Sequence, residues 1–223
     1  MKITVITADV ISSRTAGMDP NTMVNSLASI KHTKLLVPFS PSRGDEIQGV
    51  MEGWLPAPQL VRILRWHCRP LKLRIGLGIG YHVGPLTKDS WQLSGPAFFK
   101  ARQALDMLGK AKTPGTTLVT GCQALDTLAN SSWLLLDTIV NKWTSGQWEA
   151  VMTYEKAGTL AAAGKILGVA PQNVQKRCKA AHWNQVRQAE QALGETQYLV
   201  ATCNPKIGES QTINHNPVRR EKE

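Results

Sequence analysis

The chain has 223 residues, 42% of them hydrophobic, and a formal charge of +10. That apolar share is enough to bury a core and excludes global disorder, while the basic excess points toward anionic partners such as nucleic acid, nucleotides or acidic lipid. Four widely spaced cysteines without a metal spacing, no bilayer-length apolar run and an N-terminal run that stops at Asp9 fit a soluble cytoplasmic protein, with no membrane partner expected.

In chain order, residues 2–8 read as a buried β-branched strand closed by Asp9, and Asn21–Lys31 as a helix with Asn21 at its N-cap. Leu35–Phe39 and Ile47–Trp54 read as strands joined through the turn from Pro41 to Glu46. Leu60–Trp66 has helix spacing. Leu71–Tyr81 is a strand whose glycines, Gly76, Gly78 and Gly80, predict close packing against one face. Ala97–Leu108 reads as a helix, followed by a Thr113-Pro114-Gly115 turn and a strand over Thr116–Thr120.

This order predicts an α+β fold, a ferredoxin-like βαββαβ arrangement with a further helix and strand. The first strand then lies beside the third, and Asp9 and Asp45 meet at one end of the sheet. Beyond about residue 140 strand formers become sparse and helical spacing takes over. The expected organisation is a sheet domain over 1–140, an all-α domain over 141–200 and a flexible tail over 201–223.

Ser42-Arg43-Gly44-Asp45-Glu46-Ile47-Gln48-Gly49 is an acidic turn between apolar runs. Taken alone, an Asp beside a Gly is ordinary turn chemistry. A second carboxylate at a neighbouring strand end, Asp9, makes a shared divalent metal a real alternative. Ser12, Ser13 and Arg14 add hydroxyls, backbone N–H groups and a cation where phosphates would lie. Glu46 reads either as a third ligand or as a solvent-facing side chain. Arg62, Arg65, Arg69, Lys72 and Arg74 read as a solvated helix face, or as a basic flank of this site.

Ile3–Arg14, Arg43–Gly49, Leu73–Gly84 and Gly95–Leu108 follow in order the landmarks of SatD family proteins, and over roughly residues 1–125 the chain resembles that family. SatD proteins are in turn similar to class III nucleotide cyclases and GGDEF diguanylate cyclases in this half. The resemblance implies that Asp9 and Asp45 hold Mg²⁺, that a nucleoside triphosphate or related nucleotide is bound, and that Arg102 steadies the triphosphate. It also implies a homodimer. Phe98 stands where class III cyclases carry an Asn, and Pro41 where they carry a base-reading Lys.

Leu160–Ala181 resembles a helix-turn-helix. Gly164 takes the small slot between helices, Ile166 and Leu167 face the core, and Gly168 turns with positive φ. Val169 plugs the corner, Pro171 opens the second helix, and Val174 and Cys178 pack inward. Gln172, Asn173, Gln175, Lys176 and Lys179 are then exposed and suited to DNA, amides to base edges and lysines to phosphates. No acidic residue falls between Glu155 and Glu190 while six Lys and Arg do, as expected of a surface that meets a polyanion. An ordinary helical hairpin is the plainer alternative. Trp148 and Trp183 read as core anchors. Function is therefore expected to be DNA-binding regulation coupled to a metal-nucleotide domain; the alternative is a Mg²⁺-dependent nucleotidyl cyclase or nucleotidyltransferase acting through Asp9 and Asp45.

Overall fold

The computed structural model describes residues 1–11, 20–42, 45–109 and 113–203. Its strands are β1 (Lys2–Val10), β2 (Leu35–Pro41), β3 (Glu46–Glu52), β4 (Leu73–Tyr81) and β5 (Gly115–Val119). Its helices are α1 (Pro20–Ala28), α2 (Gln59–His67), α3 (Pro96–Met107), α4 (Gln123–Val140), α5 (Ser145–Ala157), α6 (Leu160–Leu167), α7 (Pro171–Ala180) and α8 (Trp183–Cys203). The fold is mixed α+β. α1 begins at Pro20, so Asn21 lies inside the helix and is not its cap. α4 carries apolar residues all round, so a periodicity argument does not find it.

The five strands form one mixed sheet in the order β2-β3-β1-β4-β5. β1 runs antiparallel to β3 and β4, and β2 antiparallel to β3. β5 is parallel to β4, because α3 carries the chain back between them.

Pleating divides β1 between two cores. Ile6, Ala8 and Val10 join the larger cluster, with Leu60 and Leu64 of α2 and Trp133 of α4, while Ile3 and Val5 pack with Ala97 and Ala101 of α3. The close packing read from the glycines of β4 is present. A Cβ at Gly76 would lie 2.3 Å from the Ala101 carbonyl oxygen, and one at Gly78 only 2.1 Å from that of Ala97. α3 is therefore seated with its backbone almost on the strand.

α4 closes the open edge of β5. The Asn130 side chain accepts from the Leu118 N–H at 2.7 Å and donates to the Leu118 carbonyl at 2.9 Å, standing in for a neighbouring strand. Asp126 accepts from the Thr120 N–H at 2.7 Å.

The larger apolar cluster does not stop at residue 140. It runs on through Trp143, Trp148, Trp183 and Leu193, and Trp148 and Trp183 are core residues as expected. Two buried arginines of α2 bind later elements of the chain, and Arg62 reaches this second half. Arg62 donates to Glu190 on α8 from Nε at 2.8 Å, and to Glu155 on α5 from Nη1 and Nη2 at 2.9 Å each. Arg65 donates to Asp137 on α4 at 3.0 Å and to Thr116 on β5 at 2.9 Å. The reading of these two as a solvated face is overturned, since Arg62 is 2% and Arg65 6% exposed. Their partners lie too far along the chain for helix spacing to reveal them. Burial opposes the charge of Arg62, and the carboxylates of Glu190 and Glu155 more than offset it, holding the guanidinium above its ordinary value.

α1 meets the end of α2 through Ser26, whose hydroxyl donates to the His67 carbonyl at 2.6 Å, and Ser29, in the turn after α1, lies 3.1 Å from His67 Nδ1. Burial lowers the pKa of His67 below 6.5, and burial together with Lys34 lowers that of His32. A depressed folded-state value stabilises the fold above the unfolded value of about 6.5, and that contribution is lost as pH falls through the folded values. The denaturant midpoint is therefore expected to drop between about pH 7.5 and pH 5.5, and His67→Gln to shrink the drop. An unchanged pH profile in His67→Gln would remove this assignment.

Candidate functional site

Asp9 stands one residue before the end of β1, opposite Glu46 of β3 and Arg74 of β4. Residues directly opposed across a ladder point to one face, and Arg74 lies two residues from Gly76, which faces α3. Asp9, Glu46 and Arg74 therefore share the face that α3 covers.

Two bidentate pairs form there. Arg74 donates to Asp9 from Nε at 2.9 Å and Nη2 at 2.5 Å, and its Nη1 donates to the Gly109 carbonyl. Arg102, projecting from α3, donates to both oxygens of Glu46 at 2.7 and 2.5 Å. The hydrogen bonds to Glu46 hold Arg102 above its ordinary pKa against partial burial, with Asp106 and Asp9 adding to the effect. Glu46 is thus committed to an arginine, which neither sequence alternative for it included.

Asp45 lies at the same end of the sheet, where its carbonyl accepts from the Val10 N–H at 3.1 Å. The structure brings Asp9, Glu46, Arg74 and Arg102 together at one end of the sheet, with the backbone of Asp45 at the same end. Arg74 is the member that sequence reasoning placed only in a basic flank; the signal was the β1–β4 register, which sets it opposite Asp9. Ser12, Ser13 and Arg14, assigned to phosphates, lie outside the described residues, as do Arg43, Gly44 and the tail from residue 204.

Among the described residues no group of three His, Cys, Asp or Glu is placed to hold an ion. Both oxygens of the Asp9 carboxylate are held by Arg74, and Asp45 enters the hydrogen bonding here through its backbone carbonyl.

The second site is built by α6 and α7. Thr159 caps α6 by accepting from the Ala162 N–H at 3.1 Å. α6 ends at Gly168, whose φ of 66° is the left-handed conformation glycine adopts without strain. The Val169 N–H then returns to the Gly164 carbonyl at 3.0 Å, and a Cβ on Gly164 would lie 2.7 Å from the Val169 oxygen. Pro171 opens α7, while Val174 and Cys178 are buried. Gln172, Asn173, Gln175, Lys176 and Lys179 are all exposed on the opposite side. One expectation fails: Ile166 does not face the core but is 66% exposed, because Ala163, Gly164 and Leu167 fill the inner side of this short helix.

No helix among the described residues is long and apolar enough to cross a membrane. Fold and sites together define an α+β protein with a five-stranded mixed sheet, helices on both its faces and a helical C-terminal part packed against α2 and α4. The chain belongs to the SatD family, whose model matches residues 4–187 of the 223. None of the curated proteins matches it.

Proposed function

We propose that this SatD protein is a cytoplasmic, DNA-binding regulator in which a ferredoxin-like, cyclase-type domain carries a helix-turn-helix. The observation that carries the reading is the outer face of α7. Three amides in the first half of the helix and two lysines further along stand exposed, on a stretch free of acid from Lys156 to Ala189. The turn supports it as well, with its left-handed Gly168, the tight approach at Gly164 and Pro171 at the helix start. In that reading Gln172, Asn173 and Gln175 meet base edges, while Lys176 and Lys179 meet phosphates.

The strand order β4-β1-β3-β2, antiparallel throughout, supports the ferredoxin-like reading of the first half, with β5 added beside β4. In this reading the acidic edge binds a magnesium nucleotide. Asp9 and Asp45 supply the metal's carboxylate oxygens, and the metal would neutralise phosphate charge. Arg74 and Arg102 are cations at this end of the sheet among the described residues, and each rests on a carboxylate, Asp9 or Glu46. Phe98 and Pro41 favour binding over turnover, because the side chains that class III cyclases use at these positions are absent. Turnover of a triphosphate through Asp9 and Asp45 is the second reading, and the nearness of Arg102 to Asp9, at the end of the sheet where the backbone of Asp45 also lies, supports it.

Fluorescence anisotropy with duplex DNA tests the first reading. Lys176→Ala/Lys179→Ala is expected to weaken binding at least about tenfold while Asp9→Ala and Asp45→Ala leave it intact. Incubation with the four nucleoside triphosphates and Mg²⁺ or Mn²⁺ separates the second. A product lost in both aspartate variants establishes an enzyme, and nucleotide retention without product establishes binding.

A further inference from the structure

Three buried polar atoms find no hydrogen-bond partner among the described residues: Nε of Arg65 on α2, and Nε1 of Trp133 and Oδ2 of Asp137 on α4. Their residues are 6%, 3% and 6% exposed. A buried donor or acceptor that nothing answers costs the full loss of its hydration, so each calls for a partner.

The bonds of Arg65 show what is missing. Nη1 donates to the Leu73 carbonyl at 3.1 Å and to Asn141 at 3.4 Å, and Nη2 donates to Thr116 at 2.9 Å and to Asp137 Oδ1 at 3.0 Å. Four of the five guanidinium N–H groups are then placed, and the Nε–H is left. In the Arg62–Glu190 and Arg74–Asp9 pairs, Nε and Nη2 together close on both carboxylate oxygens. At Arg65 that edge is held by Nη2 alone. One of its donors and one oxygen of Asp137 stay unmet.

A small cavity is lined by Arg65, Trp133 and Asp137 together, with Val61, Leu136 and Val140 as its apolar walls. It leaves about 10 Å³ to a water-sized sphere, which is room for one molecule. A cation there would face two N–H donors, and an anion would face the Asp137 carboxylate. A neutral molecule that both donates and accepts suits all three groups, and the volume limits it to water. Its oxygen accepts from Arg65 Nε–H and Trp133 Nε1–H, and one O–H donates to Asp137 Oδ2. Three partners are the usual number for a buried water. Burial also raises the pKa of Asp137 and lowers that of Arg65, each against the attraction of the other, and a water touching both restores part of their lost solvation.

We infer that this cavity is a binding site for one structural water, which completes the Arg65–Asp137 pair and ties it to Trp133. Arg65 reaches the sheet through Leu73 of β4 and Thr116 of β5, while Arg62 and Glu190 of α8 line the same cavity. The water therefore sits at the joint between the sheet, α2, α4 and α8. The inference uses neither the DNA nor the nucleotide reading.

Water–protein Overhauser contacts in the ¹⁵N-labelled full chain, recorded also in the rotating frame to set proton exchange aside, test it. The Trp133 Nε1–H and the Arg65 Nε–H are each expected to show a direct contact to a long-lived water. The Trp143 Nε1–H, which donates to the Ala181 carbonyl at 2.8 Å in the core, is expected to show none. Trp133→Phe is expected to remove the first contact and keep the second; if that variant fails to fold, the wild-type Arg65 signal decides. A crystal structure is expected to show one solvent peak within about 3.2 Å of all three atoms. No water contact at either group, or a crystal structure in which Arg65 Nε closes directly on Asp137 Oδ2, overturns the inference.

Discussion

Gly78→Ala is expected to cost about 3 kcal/mol or more, lowering the thermal midpoint by roughly 6–12 °C. The added methyl would sit 2.1 Å from the Ala97 carbonyl oxygen and 2.2 Å from the Ala101 nitrogen, both backbone atoms of α3. Neither side can yield easily. β4 is held by β1 on one side and β5 on the other, and Ala97 and Ala101 are fully buried in the second core cluster. Gly80→Ala is the control, because its nearest contact is 3.0 Å, from which a few tenths of an ångström of relief suffice. Urea unfolding of the two variants is expected to rank Gly78→Ala well below Gly80→Ala. A loss under about 0.5 kcal/mol at Gly78 would mean that α3 is not seated as described. The effect reaches the acidic edge as well, since α3 carries Arg102 and fixes where that guanidinium meets Glu46.

Arg62→Met is expected to destabilise by about 3–5 kcal/mol, because it leaves a buried carboxylate without its cation. The Glu190 side chain is 8% exposed and that of Glu155 36%, so Glu190 bears most of the loss. Arg62 also lies 4.6 Å from the centre of the Trp183 ring, a contact that goes with it. The double variant Arg62→Met/Glu190→Met removes both charges and is expected to recover most of the stability, the sign that distinguishes an unpaired charge from a lost packing contact. Equal losses in the single and double variants would assign the effect to packing. Because Arg62 ties α2 to α5 and α8, the single variant is also expected to loosen the helical half before the sheet unfolds, readable by hydrogen exchange in α8.

The strands were legible because β-branched runs and alternation are local signals, and the glycines of β4 announced a close neighbour without naming it. The turn at Gly168 and Pro171 was legible for the same reason: φ above zero and a missing N–H restrict residue choice at single positions. What stayed hidden depends on distant partners. Arg62 and Arg65 look like surface cations until Asp137, Glu155 and Glu190 arrive from later helices. α4 has leucines on its inner and outer sides, which blurs the 3.6-residue period. Ile166 was misplaced because α6 is short, and the turn after it decides which side faces inward. At the acidic edge the carboxylates could be read from the sequence, but the arginines that hold them became visible only with the β1–β4 register and the seating of α3.

The salt dependence of duplex DNA binding, measured for the wild-type chain and for Lys176→Ala/Lys179→Ala, tests the central claim most directly. If α7 lies against the phosphate backbone, the logarithm of affinity falls linearly with the logarithm of salt concentration, and the double variant flattens that slope by about 2. An identical slope and affinity in the two proteins, or no wild-type binding at low salt, would contradict the account.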